Sequence, residues 1–299
     1  MRRGLEQVAL RPTPPYRVTP HLERYCPSGE PMPSCLYDSP SRRWAALVRL
    51  DGYDGPLAVL VSSEGQNPVL QMFVEDDLDR GLRERARSVA SWVFAVDVDY
   101  MDFISRTAAT PLHAIAWRGF GLRPTRAIGV YEALLMSIVW GQEKSSRALA
   151  ALVRRTASSR SSSAGQFYGS PDPDAVLSLG LDGLKSLGFS QQKAEAVLEV
   201  AEAQRSGSLP PLSEASENPR KAARAFAELK GIGKSMAEVA ASLVSRRPWG
   251  GVSAETVARA LKERLGLNYD ARDLEAQLGE YVGLIYYLLE NSERGSSSE

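Results

Sequence analysis

The chain is poor in metal-ligating side chains: its 299 residues include two cysteines and two histidines. Cys26, Cys35, His21 and His113 do not supply the thiolates and imidazoles of a zinc site. Cys26 and Cys35 lie close together in a proline-rich loop and read as free thiols rather than a disulfide. Long apolar runs are also missing. None approaches the roughly 20 residues of a membrane span, and Met1-Arg2-Arg3-Gly4 is not followed by a signal-peptide core. An intracellular location, cytoplasm or nucleoid, with no membrane partner is therefore expected. Net charge is absent as well, with 36 Lys+Arg against 36 Asp+Glu. Whole-molecule electrostatics thus exclude a general pull on polyanions, and any such attraction must be local. What is present, 43 % hydrophobic and 24 % charged residues, suffices for two domains with real cores. Nothing points to oligomerisation, so a monomer is expected.

One stretch carries the local charge asymmetry. Between Arg220 and Arg264 there are ten basic and four acidic residues, a net charge of +6. Within it Leu229-Lys230-Gly231-Ile232-Gly233 separates two helix-like runs. Asn218 and Pro219 open the first, in which Ala222, Ala223, Phe226 and Leu229 recur at helical spacing. Lys234 to Arg246 forms the second, with Met236, Val239, Ala240 and Leu243 on one face. A glycine on each side of an apolar residue permits a sharp turn and leaves amides unshielded at a helix N-terminus, where the dipole favours an anion. Lys230, Gly231, Ile232, Gly233, Lys234 and Ser235 are accordingly the candidate contacts to a nucleic-acid backbone.

Along the rest of the chain, residues 1 to about 40 are rich in proline and read as an extended arm. Strand-like runs follow at Trp44–Leu50, Leu57–Ser62 and Val69–Val74, and then a helix over Asp76–Phe94 that covers them. Pro124 and Thr125 open a long apolar helix, interrupted at Gly141-Gln142-Glu143 and continued to about Thr156. Thr156 to Gly165 is of low complexity and reads as a mobile loop. Helices are then expected at Asp174–Leu187, Gln191–Arg205, in the hairpin unit, at Ser253–Leu265 and at Asp273–Leu289, with a disordered tail over 292–299. The predicted class is α+β: an N-terminal antiparallel sheet domain with a helix (1–98) and an all-helical body (99–291).

Taken together, Pro14-Pro15-Tyr16, Gly121-Leu122-Arg123-Pro124, Gly141-Gln142, Leu187-Gly188-Phe189, Lys193-Ala194-Glu195-Ala196 and Gly231-Ile232-Gly233 resemble the helix-hairpin-helix DNA glycosylase superfamily. The 3-methyladenine DNA glycosylase II (AlkA-type) branch is the most similar, and the resemblance spans nearly the whole chain. It implies base-excision repair of duplex DNA. The damaged, alkylated base is flipped into a pocket because its glycosidic bond is inaccessible within the helix, and a carboxylate supports the cationic sugar as the base departs. The resemblance further implies a sodium or potassium ion on the hairpin carbonyls of Leu229 and Gly231, with no other cofactor. With no four-cysteine cluster, the iron–sulfur branch is excluded.

Several positions depart from the family pattern. The family places an aspartate about 20 to 22 residues beyond the last hairpin glycine, but no aspartate occurs between Asp182 and Asp270. Glu255, 22 residues after Gly233, is the candidate catalytic carboxylate, with Ser253 and Ala254 as competing alignments. Bifunctional relatives carry a lyase lysine where this chain has Ser235, so a monofunctional enzyme is expected. Gln142 and Glu143 stand where a wedge fills the gap left by the flipped base, and Tyr281, Trp249 and Trp140 are the candidate pocket aromatics. The missing aspartate keeps a second reading open, a catalytically impaired lesion binder on the same scaffold. A third, a structural module whose hairpin meets protein, leaves the +6 stretch without a purpose.

Overall fold

The computed structural model describes residues 5–50, 52–75, 78–162 and 165–292; the tail expected beyond Ser292 lies outside them. Six antiparallel strands, β1 (Leu5–Leu10), β2 (Pro31–Met32), β3 (Cys35–Asp38), β4 (Arg43–Leu50), β5 (Tyr53–Ser63) and β6 (Val69–Glu75), form one sheet in the order β1-β6-β5-β4-β3-β2. The alternation of β4, β5 and β6 sends Trp44, Ala46, Val48, Leu57, Val59, Leu70 and Met72 to one face. There they meet Ala86, Val89, Ala90 and Val93 of helix α2 (Arg80–Val93), which Asp79 caps. Burying that face is what fixes the register of the central strands.

The proline-rich N-terminus is not an extended arm. Its β1 pairs with β6 from Leu5↔Glu75 to Leu10↔Leu70, and its prolines sit where they suit local structure, Pro20 in the first turn of helix α1 (Thr19–Tyr25). These elements are too short for periodicity to show. Cys26 and Cys35 are free and buried beside this helix, the Cys35 thiol donating to Cys26 Sγ at 2.8 Å.

The body consists of helices α3 (Tyr100–Thr107), α4 (Leu112–Arg118), α5 (Val130–Val139), α6 (Glu143–Thr156), α7 (Pro173–Ser186), α8 (Gln191–Arg205), α9 (Leu212–Glu217), α10 (Pro219–Ala227), α11 (Lys234–Leu243), α12 (Ala254–Leu265), α13 (Ala271–Leu278) and α14 (Val282–Ser292). Among the described residues it departs from all-helical at one place. The segment expected as a mobile loop is a hairpin of β7 (Ala157–Ser162) and β8 (Gly165–Pro171). Its serines and arginine face solvent on β7, which is why composition suggested a loop, while Phe167 of β8 is buried against Ala45 and Ala58. The hairpin thus closes the second face of the N-terminal sheet.

The helix expected from Asp273 to Leu289 is broken at Gly279, whose φ of 55° starts a single 3₁₀ turn before α14. The helix expected from Pro124 starts only at Val130, after a lead-in held by Arg126 N–H to Val93 O (2.8 Å) and Ala127 N–H to Leu243 O (2.7 Å). Two of the sequence motifs meet directly. Arg17 N–H donates to Gly121 O and Arg123 N–H to Arg17 O, both at 2.7 Å. A Cβ on Gly121 would lie 3.1 Å from the backbone of Pro15 and Tyr16, so glycine is required for this approach.

Candidate active site

The hairpin between α10 and α11 folds as its glycines dictate. Gly231 has φ of +84°, and its α-carbon packs so closely on α8 that a Cβ would stand 3.0 Å from Ala196 Cβ. Ile232 is buried and anchors the turn, its N–H donating to Leu229 O at 3.0 Å. Lys230, Gly233, Lys234 and Ser235 form the exposed rim. Gly233 is the N-cap of α11 and offers no side-chain cap, whereas Asp172, Ser190, Ser253 and Asp270 cap α7, α8, α12 and α13. The first amides of α11 are therefore left for an external acceptor, with two lysines beside them.

Helix α12 begins behind this rim. Ser253 caps it, accepting from Thr256 N–H at 3.3 Å, and Ala254 is fully buried. Glu255 is exposed on the first turn. Its carboxyl is held below the ordinary range by its own backbone N–H and by the Ser253 hydroxyl, with Arg220 and Lys234 adding positive potential. Glu255 is therefore ionised and accessible. The structure adds a residue that sequence reasoning missed, Glu238. It is 7 % exposed, and Thr256 Oγ1 donates to it at 3.1 Å from Oε1 and 3.3 Å from Oε2, while Lys234 Nζ stands 4.0 Å from Oε1. Its signal was an acid on an otherwise apolar helix face beside Ala237, Val239 and Ala241.

Gln142, the N-cap of α6, is exposed, and Lys193 Nζ donates to its Oε1 at 2.5 Å and to Ser145 Oγ at 2.6 Å. Lys193 and Ala196 lie one turn apart on α8, so a single helix links Gln142 to the hairpin. Glu143 is also exposed, but its carboxylate pairs with Arg147 on the next turn.

Trp140 and Trp249 come together, ring centroids 5.4 Å apart, in a cluster with Tyr25, Tyr287 and His21. Tyr25 stacks on Trp140 at 3.7 Å, and both line a cavity of about 380 Å³ that reaches Gln142. Burial, with Arg24 nearby, pushes His21 down to about 3, and its Nδ1 is 2.8 Å from Tyr287 Oη. Tyr281 lies apart, against Phe103 and Arg106, its hydroxyl donating to Asp99 O at 2.9 Å. No cluster of His, Cys, Asp and Glu that could hold a metal ion occurs among the described residues.

No protein-family model and no curated protein matches the chain. Solved structures do. The 3-methyladenine DNA glycosylase of Archaeoglobus fulgidus superposes with a TM-score of 0.70 at 19 % identity, over 97 % of this chain and 99 % of that one. The Clostridium acetobutylicum 8-oxoguanine glycosylase/lyase, bound to double-stranded DNA with cytosine opposite the lesion, gives 0.69 at 15 % identity over 98 % and 99 %. The chain has the helix-hairpin-helix DNA glycosylase fold. Coverage of both partners is nearly complete, so the glycosylase fold here includes the N-terminal sheet as well as the helical body.

Proposed function

We propose that this protein is a monofunctional DNA glycosylase of base-excision repair, which flips a damaged, alkylated base out of duplex DNA and hydrolyses its N-glycosyl bond. The observation that carries the reading is the ionised, accessible Glu255 carboxylate on the first turn of α12, behind an uncapped, lysine-flanked hairpin, on a fold shared end to end with DNA glycosylases.

Each part has a task in this reading. Lys230, Lys234 and the amides of Gly231, Gly233 and Ser235 hold phosphates, and Ile232 anchors the turn that presents them. Gln142 occupies the gap, since Glu143 is tied back to Arg147 and a carboxylate is a poor intercalator. The flipped base lies on the Trp140–Tyr25 platform, whose electron-rich faces favour a cationic, alkylated ring. Glu255 stabilises the positive charge that develops on the sugar, and Glu238 positions the α12 N-terminus through Thr256. Ser235, a hydroxyl where bifunctional enzymes carry an amine, leaves no lyase nucleophile. The Leu229 carbonyl accepts only from Ile232 among the described residues and keeps a lone pair, so it and Gly231 O fit a sodium or potassium ion at the turn. Such an ion would supply positive charge next to a phosphate. The protein acts as a monomer inside the cell.

A second reading, lesion binding without excision, is favoured by the aromatic cluster, in which Tyr25 and Trp140 already stack on each other, and by the neutral Ser253 at the N-cap. Base release from duplexes carrying a panel of alkylated and oxidised bases, with binding measured in parallel, separates the two. Release of an alkylated base without strand cleavage is expected; binding with no release on any substrate would establish the second reading.

A further inference from the structure

The chain's two cysteines, 9 residues apart in sequence, meet in the fold. Cys26 is the C-cap of α1, its N–H donating to Leu22 O at 2.8 Å, and Cys35 opens β3, paired with Met32 of β2. Each is held by its own element, and the Cys35 thiol donates to Cys26 Sγ at 2.8 Å. Both are buried, at 3 % and 4 % exposure, so neither reaches a thiol of another molecule. Nothing in the site described above uses either sulfur.

Burial alone would leave such a pair inert, but a path leads to it. The cavity of about 380 Å³ beside the Tyr25–Trp140 stack is lined by Tyr25, Pro27 and Met32, the two chain neighbours of Cys26 and the ladder partner of Cys35. Gln142 on its wall is exposed, so the cavity opens to solvent. A small neutral oxidant, a hydroperoxide, fits this path. Burial and the contact with Cys26 push the Cys35 thiol up, so Cys35 keeps its proton. Its S–H points at Cys26 Sγ and favours negative charge there, which makes Cys26 the sulfur that reacts first.

We infer that Cys26 and Cys35 form a peroxide-responsive dithiol that closes to an intramolecular disulfide beside the Tyr25–Trp140 stack. Cys26 Sγ bonds to one oxygen of the hydroperoxide, the O–O bond breaks, and the other oxygen leaves with the Cys26 proton as water or an alcohol. Cys35 Sγ then attacks the resulting sulfenic acid: the S–S bond forms, the S–O bond breaks, and the hydroxyl leaves as water with the Cys35 proton. Two electrons pass from the thiols to the peroxide. The bond ties the end of α1, and the adjacent Tyr25, to the sheet, and it is independent of what the protein acts on.

Treatment of the reduced full chain with hydrogen peroxide, then peroxide removal, denaturation, alkylation and peptide mass mapping, tests this. Cleavage after Glu30, which lies between the two cysteines, leaves them on separate peptides unless they are bonded. A cross-linked peptide with neither cysteine alkylated is expected, and dithiothreitol should restore both thiols. Oxidation of the exposed Met101 in the same sample shows that peroxide has acted. The oxidised protein should melt roughly 4–8 °C above the reduced one, because the bond closes a short loop in the unfolded chain. Cys35→Ser keeps a hydroxyl donor and removes the second sulfur, so peroxide should leave a sulfenic acid on Cys26 that dimedone traps. Should that variant fail to fold, the mapping of the native chain decides alone. Two alkylatable thiols once Met101 is oxidised, or separate sulfinic acids without a cross-link, would overturn the assignment.

Discussion

Glu238 Oε1 accepts from Thr256 Oγ1 at 3.1 Å, joining the second helix of the hairpin unit to the first turn of α12. The same hydroxyl is 3.1 Å from the capping Ser253 Oγ, so the hairpin and the α12 N-terminus are one connected structure. Glu238→Ala leaves the Thr256 hydroxyl without its buried partner and is expected to cost about 1–3 kcal/mol of stability and to slow base release at saturating DNA. Glu238→Gln keeps an acceptor and should recover most of both. Denaturant melts and single-turnover rates on the two variants check this; equal loss in both would instead point to a direct role for the charge.

How much of this was legible in the sequence depended on period and on local motif. The apolar face of α5, the three central strands and the glycines of the hairpin were legible because each is encoded within a dozen residues. The N-terminal strands and β7 were not, since β1 is defined by pairing with β6, 60 to 70 residues away, and β7 turns serines to solvent while Phe167 of its partner does the packing. In the candidate site, Glu255 and Ser253 were picked out by the resemblance, from where the family carries its aspartate, and the hairpin rim by its glycines and local charge; the structure puts Glu255 exposed on the first turn of α12 and Lys230, Gly233, Lys234 and Ser235 exposed at the turn. Glu238 and Tyr25 were missed, and Lys193 was noted only as part of a motif, because their roles arise from contacts across elements: Lys193 with Gln142 on α6, Tyr25 with Trp140, Glu238 with Thr256. Tyr281 was chosen by residue type alone, and tertiary packing carries it to Phe103 instead.

The two hairpin glycines should behave differently. Gly231→Ala forces a side chain into φ +84° and toward Ala196, and an expected loss of about 1–3 kcal/mol should appear in thermal melts along with weaker DNA binding. Gly233→Ala has no atom within 4 Å of the new methyl and an ordinary φ of −77°, so it avoids that clash and strain and should cost only the loss of a favourable N-cap residue, about 0.5–1 kcal/mol.

The rim lysines act through charge. Lys230→Ala and Lys234→Ala should each flatten the dependence of log K on log salt concentration by about 0.9, with similar effects on damaged and undamaged duplexes. Titrations by fluorescence anisotropy at several salt concentrations measure the slope; an unchanged slope in both variants would remove the hairpin from the DNA-facing surface.

His21 ties stability to pH. Its folded pKa of about 3 is below the usual value near 6.5, so the unfolded chain binds the proton more readily. The stabilisation is complete above about pH 6.5 and is lost as pH falls toward 3, at up to about 1.4 kcal/mol per pH unit for the one proton. His21→Phe should lack this component, and the difference between the two stability profiles over pH 4 to 7 measures it.

A carboxylate on the first turn of α12 is expected to assist departure of a damaged base. Single-turnover release of an alkylated base from duplex DNA, compared between the native chain and Glu255→Gln, tests it most directly. The variant is expected to lose most of the rate while its DNA affinity is retained. Equal rates in the two proteins would contradict it.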